Sequence, residues 1–77
     1  MRRFTLLSRP GCHLCEDFET EVMLRFDGLL EVETVQIDHH PVWLAKYGQQ
    51  IPVLLDAAGA FVCAIEPDPD AIADALR

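Results

Sequence analysis

Residues 4–18 of the chain read FTLLSRPGCHLCEDF. A short apolar run at 4–7 is followed by the turn-forming residues 8–11, and then by two cysteines with two residues between them. A pattern typical of an amphipathic helix begins at once after the first cysteine. Cys12 is therefore expected at a helix start, where free N–H groups and the helix dipole stabilise a thiolate. The segment predicts a redox centre made by Cys12 and Cys15.

The helical pattern gives the two cysteines unequal environments. At about 100° per residue, Cys15 falls on the same arc as Leu14 and Phe18, and this arc is expected to face the core. Cys12 lies at or before the first turn and is expected to meet solvent. Such unequal access suits thiol–disulfide exchange, in which Cys12 is the attacking thiol and Cys15 the resolving thiol.

Other readings of the cysteine pair are a zinc half-site or a chance spacing. Zinc needs four ligands, and beyond the pair the chain offers only Cys63, in an apolar strand pattern, and the adjacent His39 and His40, in a turn. We expect Cys63 to pack as a small core residue and the histidines to be solvated. A redox dithiol is favoured, and no metal site is expected.

Length and composition indicate one globular domain over residues 1–77. The net charge is −7, from 13 acidic and 6 basic residues, so nucleic acid is not an expected partner. Three cysteines are an odd number, which argues against a secreted scaffold held by disulfides. No apolar stretch approaches the roughly 20 residues of a membrane span. We therefore expect a cytoplasmic monomer that does not bind membranes.

The rest of the chain alternates between strand and helix patterns in the order β-α-β-α-β-β-α. The predicted strands are 4–7, 31–37, 51–55 and 60–65, and the predicted helices are 13–26, 42–47 and 71–76. The first βαβ unit should be right-handed with parallel strands. The last two strands should form a hairpin across the turn at 56–59.

Three blocks of this sequence resemble the short bacterial glutaredoxin-like proteins of the thioredoxin-fold superfamily. They are SRPGCHLCE at 8–16, VQID at 35–38 followed by PVWLAKYG at 41–48, and QIPVLL at 50–55. The resemblance implies an α/β thioredoxin-like fold, with a four-stranded mixed sheet flanked by helices. It also implies a thiol–disulfide oxidoreductase activity that acts on a protein or small-molecule disulfide.

The same resemblance suggests residues that bind the substrate. Arg9 stands three positions before Cys12, where many glutaredoxins have a basic residue, and it is expected to contact the substrate. His13 occupies the position after the first cysteine. Ile51 and Pro52 match the family's segment with a cis proline beside the active cysteines, and they are expected to offer a backbone edge to an extended substrate.

The chain departs from glutaredoxins in two ways. His13 replaces the usual proline, and residues 63–68, CAIEPD, replace the Gly-Gly pair and aspartate that hold glutathione. Acidic side chains there would repel glutathione, so we expect a protein dithiol or a reductase as electron donor, with glutathione a weak donor and no cofactor. A non-enzymatic redox sensor or protein-binding module, or a metal or iron–sulfur protein, are the alternatives.

Overall fold

The computed structural model describes residues 1–77 and has the order of elements that the sequence predicts. The strands are β1 (Arg2–Ser8), β2 (Leu30–Gln36), β3 (Val53–Leu55) and β4 (Phe61–Ala64). The helices are α1 (His13–Arg25), α2 (Pro41–Tyr47) and α3 (Pro69–Ala75), with a 3₁₀ helix at Ile37–His39. None of the helices combines the length and the apolarity that a membrane span requires.

The four strands form one mixed sheet in the order β2-β1-β3-β4. β1 is parallel to β2 and antiparallel to β3, and β3 is antiparallel to β4. The α/β fold and the four-stranded mixed sheet with flanking helices are thus confirmed. The connection through α1 joins the parallel strands β1 and β2, and the turn at 56–59 joins the hairpin of β3 and β4.

Helices cover both faces of the sheet. Leu6 and Leu7 are neighbours in β1 and point to opposite faces, as strand side chains do, so each belongs to a different apolar cluster. The cluster under α1 and α3 consists of Phe4, Leu6, Phe18, Val22, Leu30, Leu54, Cys63 and Ile72. The cluster under α2 consists of Leu7, Ile37, Val53 and Leu55, with Trp43, Leu44 and Tyr47 packed against it.

Three connections meet at one end of the sheet, and together they position the cysteines. Residues 9–12 follow the last residue of β1. The antiparallel registers of β3 with β1 and with β4 place Pro52 and Ile65 at the same end. The backbone N–H of Ile65 donates a hydrogen bond to the carbonyl of Pro52, at 2.7 Å.

Two local predictions need correction. β3 begins at Val53, because Pro52 has no N–H to donate to the sheet and the backbone of Ile51 is unpaired. Leu14 does not face the core, since 48% of its surface is exposed. The buried arc of α1 is formed by Cys15, Phe18 and Val22, so Leu14 lies at its edge and lines an open groove together with the loop after β4.

Candidate active site

A disulfide joins Cys12 and Cys15 at the start of α1. The two Cα atoms are 5.2 Å apart, within the range of about 4.4–6.8 Å usual for a disulfide. A spacing of three residues brings the side chains together because Cys12 is the N-cap residue and Cys15 lies one turn into the helix. The predicted pair is therefore formed in the structure.

The two cysteines differ in exposure as the helical pattern predicts. Cys15 is buried, with 3% of its surface exposed, while Cys12 is half-buried. The backbone N–H of Cys15 donates a hydrogen bond to Sγ of Cys12, at 3.1 Å. A sulfur atom thus takes the capping position that an oxygen usually occupies. The N–H and the helix dipole would both favour negative charge on Sγ of Cys12.

The turn before α1 depends on glycine. Gly11 has a φ of +74°, in the left-handed region that side chains disfavour. After this turn, the backbone N–H of Cys12 donates to the carbonyl of Arg9, at 3.3 Å, and the carbonyl of Cys12 accepts from the N–H of Glu16, at 3.1 Å. These two hydrogen bonds hold Cys12 between the end of β1 and the start of α1.

Arg9 forms an ion pair that the sequence analysis did not foresee. Its Nε lies 3.1 Å from Oδ1 of Asp38, which belongs to the 3₁₀ helix after β2. The side chains remain 39% and 48% exposed. Because the partners are 29 residues apart, only the parallel pairing of β1 and β2 reveals their contact.

His13 is on the surface of the first turn of α1. Its side chain is 92% exposed, and its Nδ1 lies 3.8 Å from Oε2 of Glu16. His13 follows Cys12 in the chain, but no buried contact holds its side chain. Substrate binding by His13 therefore stays a prediction.

A small open pocket of about 180 Å³ adjoins both cysteines. Its polar lining consists of Ser8, Arg9, Glu16, Glu19 and Thr34. Glu19 accepts a hydrogen bond from the Thr34 hydroxyl, at 2.9 Å. Ser8 and Glu19 were not among the site residues predicted from the sequence. A signal was available for Glu19, which lies one helical turn after Cys15.

The Ile51–Pro52 peptide bond is cis, as the resemblance predicts. Pro52 is buried and Ile51 is half-buried. Neither the N–H nor the carbonyl of Ile51 makes a backbone hydrogen bond within the chain. An unpaired backbone edge therefore lies at the end of the sheet that carries the cysteines.

Ile65, after β4, is the one residue other than glycine with a positive φ, at 72°. The N–H of Glu66 donates to the carbonyl of Ala64, at 2.8 Å, which closes a γ-turn around Ile65. A β-branched residue in this region costs on the order of 1–3 kcal/mol. Ile65 is nevertheless 49% exposed, so burial of its apolar side chain offsets only part of this cost.

Cys63 packs in the core, as expected. It is 6% exposed and belongs to the cluster under α1 and α3. Burial raises the pKa of the Cys63 thiol, against a smaller lowering by a backbone hydrogen bond of Asp68. His39 and His40 are exposed, and no three His, Cys, Asp or Glu side chains converge as a metal-ligand set would.

Comparison with known proteins adds a family match and structural relatives. A sequence model described as a glutaredoxin-like domain (DUF836) matches residues 3–76. The solution NMR structure of protein Ne2328 from Nitrosomonas europaea has a TM-score of 0.88 and 27% sequence identity, over 99% of this chain and 92% of that chain. The X-ray structure of target protein XcR50 from X. campestris has a TM-score of 0.63 and 30% identity, over 90% and 88%. No curated protein matches the chain significantly.

Proposed function

This chain belongs to the glutaredoxin-like domain family, and on that premise we propose that it is a thiol–disulfide oxidoreductase. The observation that carries the proposal is the disulfide at the start of α1, where Cys12 is half-buried and Cys15 is buried. A structural disulfide would need no such difference in access. An attacking and a resolving thiol do need it.

The reaction proceeds in two exchange steps. In the first, the Cys12 thiolate attacks one sulfur of the substrate disulfide, the substrate S–S bond breaks, and the released thiolate takes a proton from water. In the second, Cys15 loses its proton and attacks Sγ of Cys12, and the other substrate sulfur leaves as a thiolate and is protonated. The substrate gains two electrons, and the Cys12–Cys15 dithiol becomes a disulfide.

Neighbouring groups support each step. The N–H of Cys15, 3.1 Å from Sγ of Cys12, stabilises the attacking thiolate. Glu16 and Glu19 line the pocket beside Cys15 and are the carboxylates able to accept its proton, directly or through water. Because Cys15 is buried, it reacts only with the sulfur already bound to Cys12.

The substrate is a protein or small-molecule disulfide, held by four residues. The free backbone N–H and carbonyl of Ile51 suit pairing with an extended segment, and Pro52 ends this edge. Arg9 and His13 flank Cys12 in the chain. Arg9 is the cationic side chain of the pocket, but its pairing with Asp38 weakens its attraction for an anion.

The oxidised pair returns to the dithiol through a protein dithiol or a reductase, with glutathione a weak donor. Glu66 lies on the loop after β4, and Asp68 and Asp70 follow at the start of α3. Like charges of this kind disfavour glutathione, which is itself an anion. A reducing compartment such as the cytoplasm suits such a cycle.

The test is catalytic reduction of a model disulfide. With dithiothreitol as donor, the protein should accelerate reduction of a disulfide-bonded peptide, and Cys12→Ser should abolish the acceleration. Mixed with the peptide disulfide in the absence of dithiothreitol, which would cleave the product, Cys15→Ser should instead accumulate a mixed disulfide on Cys12, visible by mass spectrometry. Cys63→Ala is the control, because it removes a thiol outside the site.

Two outcomes would contradict the proposal. Equal rates for Cys12→Ser and the unmodified protein would exclude Cys12 as the nucleophile. Stoichiometric oxidation without turnover would favour the redox sensor instead.

A further inference from the structure

We propose that a groove between α1 and the loop after β4 binds a basic segment of the substrate protein, with an apolar side chain flanked by lysine or arginine. This inference rests on the proposed function and names the class of its substrate. The groove has a volume of about 390 Å³. We call it the α1 groove.

The floor of the α1 groove is apolar and lies next to the disulfide. It is made by Leu14, Phe18, Ile65 and Pro67. Leu14 and Ile65 are 48% and 49% exposed. Leu14 lies between the two cysteines in sequence, and the N–H of Ile65 is bonded to the carbonyl of Pro52. A segment whose cysteine reaches Cys12 therefore has apolar surface directly beside it.

The backbone at Ile65 supports a role for this side chain. A positive φ is unfavourable for a β-branched residue, and glycine or asparagine adopts it far more readily. The conformation nevertheless places a half-exposed apolar side chain in the floor of the α1 groove. Strained residues that do not serve the core are found preferentially at functional sites.

The rim of the α1 groove is acidic and free of internal partners. Asp17, Glu21 and Glu66 line it, and no lysine or arginine does. None of the three carboxylates forms an ion pair or a side-chain hydrogen bond within the chain. Elsewhere on the surface an arginine pairs with each of Glu31, Glu33, Asp38 and Asp74.

Charge complementarity therefore identifies the occupant. Three unpaired carboxylates around an apolar floor favour a cationic partner with one apolar side chain. A second copy of this chain carries a net charge of −7 and would be repelled. An anionic small molecule would be repelled for the same reason.

A binding experiment tests the groove without requiring catalysis. An eight-residue peptide with one leucine flanked by lysines, and with serine in place of cysteine, is titrated into ¹⁵N-labelled protein. Low ionic strength, about 10 mM, is used because the Debye length is then about 30 Å. The backbone signals of residues 14–21 and 65–66 should shift, and a peptide with glutamate in place of lysine should bind about tenfold more weakly.

Matched variants distinguish an effect of the groove carboxylates on peptide binding from an effect of the overall charge. Asp17→Asn, Glu21→Gln and Glu66→Gln together should weaken binding of the lysine peptide about tenfold. The control combines Glu31→Gln, Glu33→Gln and Asp74→Asn, which removes the same number of charges elsewhere, and should change binding less than about twofold. Ile65→Thr keeps the β-branch but adds a hydroxyl, and should also weaken binding.

Three outcomes would overturn the α1 groove: shifts confined to other surfaces, equal binding of the two peptides, or equal effects of the two triple variants. The proposed function is measured separately with bis(2-hydroxyethyl) disulfide, a neutral substrate too small to span the groove. Absence of catalysis with both this substrate and the disulfide-bonded peptide would reject the oxidoreductase, while the peptide titration still tests binding in the α1 groove.

Discussion

Asp38→Asn should make the Cys12–Cys15 disulfide a better target for glutathione. Arg9 is the cationic side chain that lines the pocket beside the cysteines, and its Nε lies 3.1 Å from Oδ1 of Asp38. The carboxylate neutralises the charge that would attract an anionic donor. Asparagine keeps the size of the side chain and removes its charge, so the guanidinium becomes available.

The expected gain follows from the Coulomb balance around the donor. A guanidinium and a glutathione carboxylate about 5 Å apart attract by about 0.8 kcal/mol in water, and the repulsion from Asp38, at about 7 Å, offsets about 0.6 kcal/mol of this attraction. Asp38→Asn removes the repulsion alone, so the gain is about 0.6 kcal/mol, or about threefold faster reduction, which salt reduces to less than about twofold. The lost ion pair should cost at most about 1 kcal/mol of stability, since both side chains are more than a third exposed.

The assay follows reduction of the oxidised protein in excess glutathione. Samples are quenched in acid, alkylated and quantified by mass spectrometry at two salt concentrations. Dithiothreitol, which is neutral, serves as the matched donor and should reduce both proteins at similar rates. Arg9→Gln added to Asp38→Asn should remove most of the gain.

Two results would refute this reasoning. An equal acceleration with dithiothreitol would show that Asp38→Asn loosens the loop and does not act through charge. A gain that persists after Arg9→Gln would show that the guanidinium is not the attracting group.

Three further predictions concern single residues. In the reduced protein at neutral pH, iodoacetamide should label Cys12 before Cys15, and peptide mapping that finds Cys15 labelled first would reverse their roles. Because burial raises the pKa of Cys63, its thiol keeps its proton to a higher pH in the folded protein than in the unfolded chain. The stability that this difference contributes is present at neutral pH and is lost as the pH rises above 9.0. Urea unfolding of the oxidised protein should show this loss, and Cys63→Ala should lack it. Asp68→Ala should lower the free energy of unfolding by about 1 kcal/mol, because its carboxylate accepts from the N–H of Ala71 at the start of α3.

The sequence by itself determined the order of elements and the redox pair. Strand alternation and helical periodicity are local properties, so β1, α1 and the hairpin of β3 with β4 could be predicted with errors only at their ends. The positions of Cys12 and Cys15 in that local pattern were enough to assign their different exposure. The cis bond at Pro52 came from the family resemblance, because periodicity carries no information about it.

The tertiary structure alone decided which surfaces surround this pair. Asp38 reaches Arg9 because β1 and β2 are parallel neighbours, and no local pattern encodes a contact across 29 residues. Leu14 has the periodicity of a core residue, yet it is exposed because tertiary packing buries the arc of Cys15, Phe18 and Val22 and leaves Leu14 at its edge. The left-handed conformation of Ile65 is imposed by the hydrogen bond to Pro52 and the γ-turn after β4, against the preference of its own side chain. Local propensities set the elements, whereas contacts between distant segments set the charge and shape of the site.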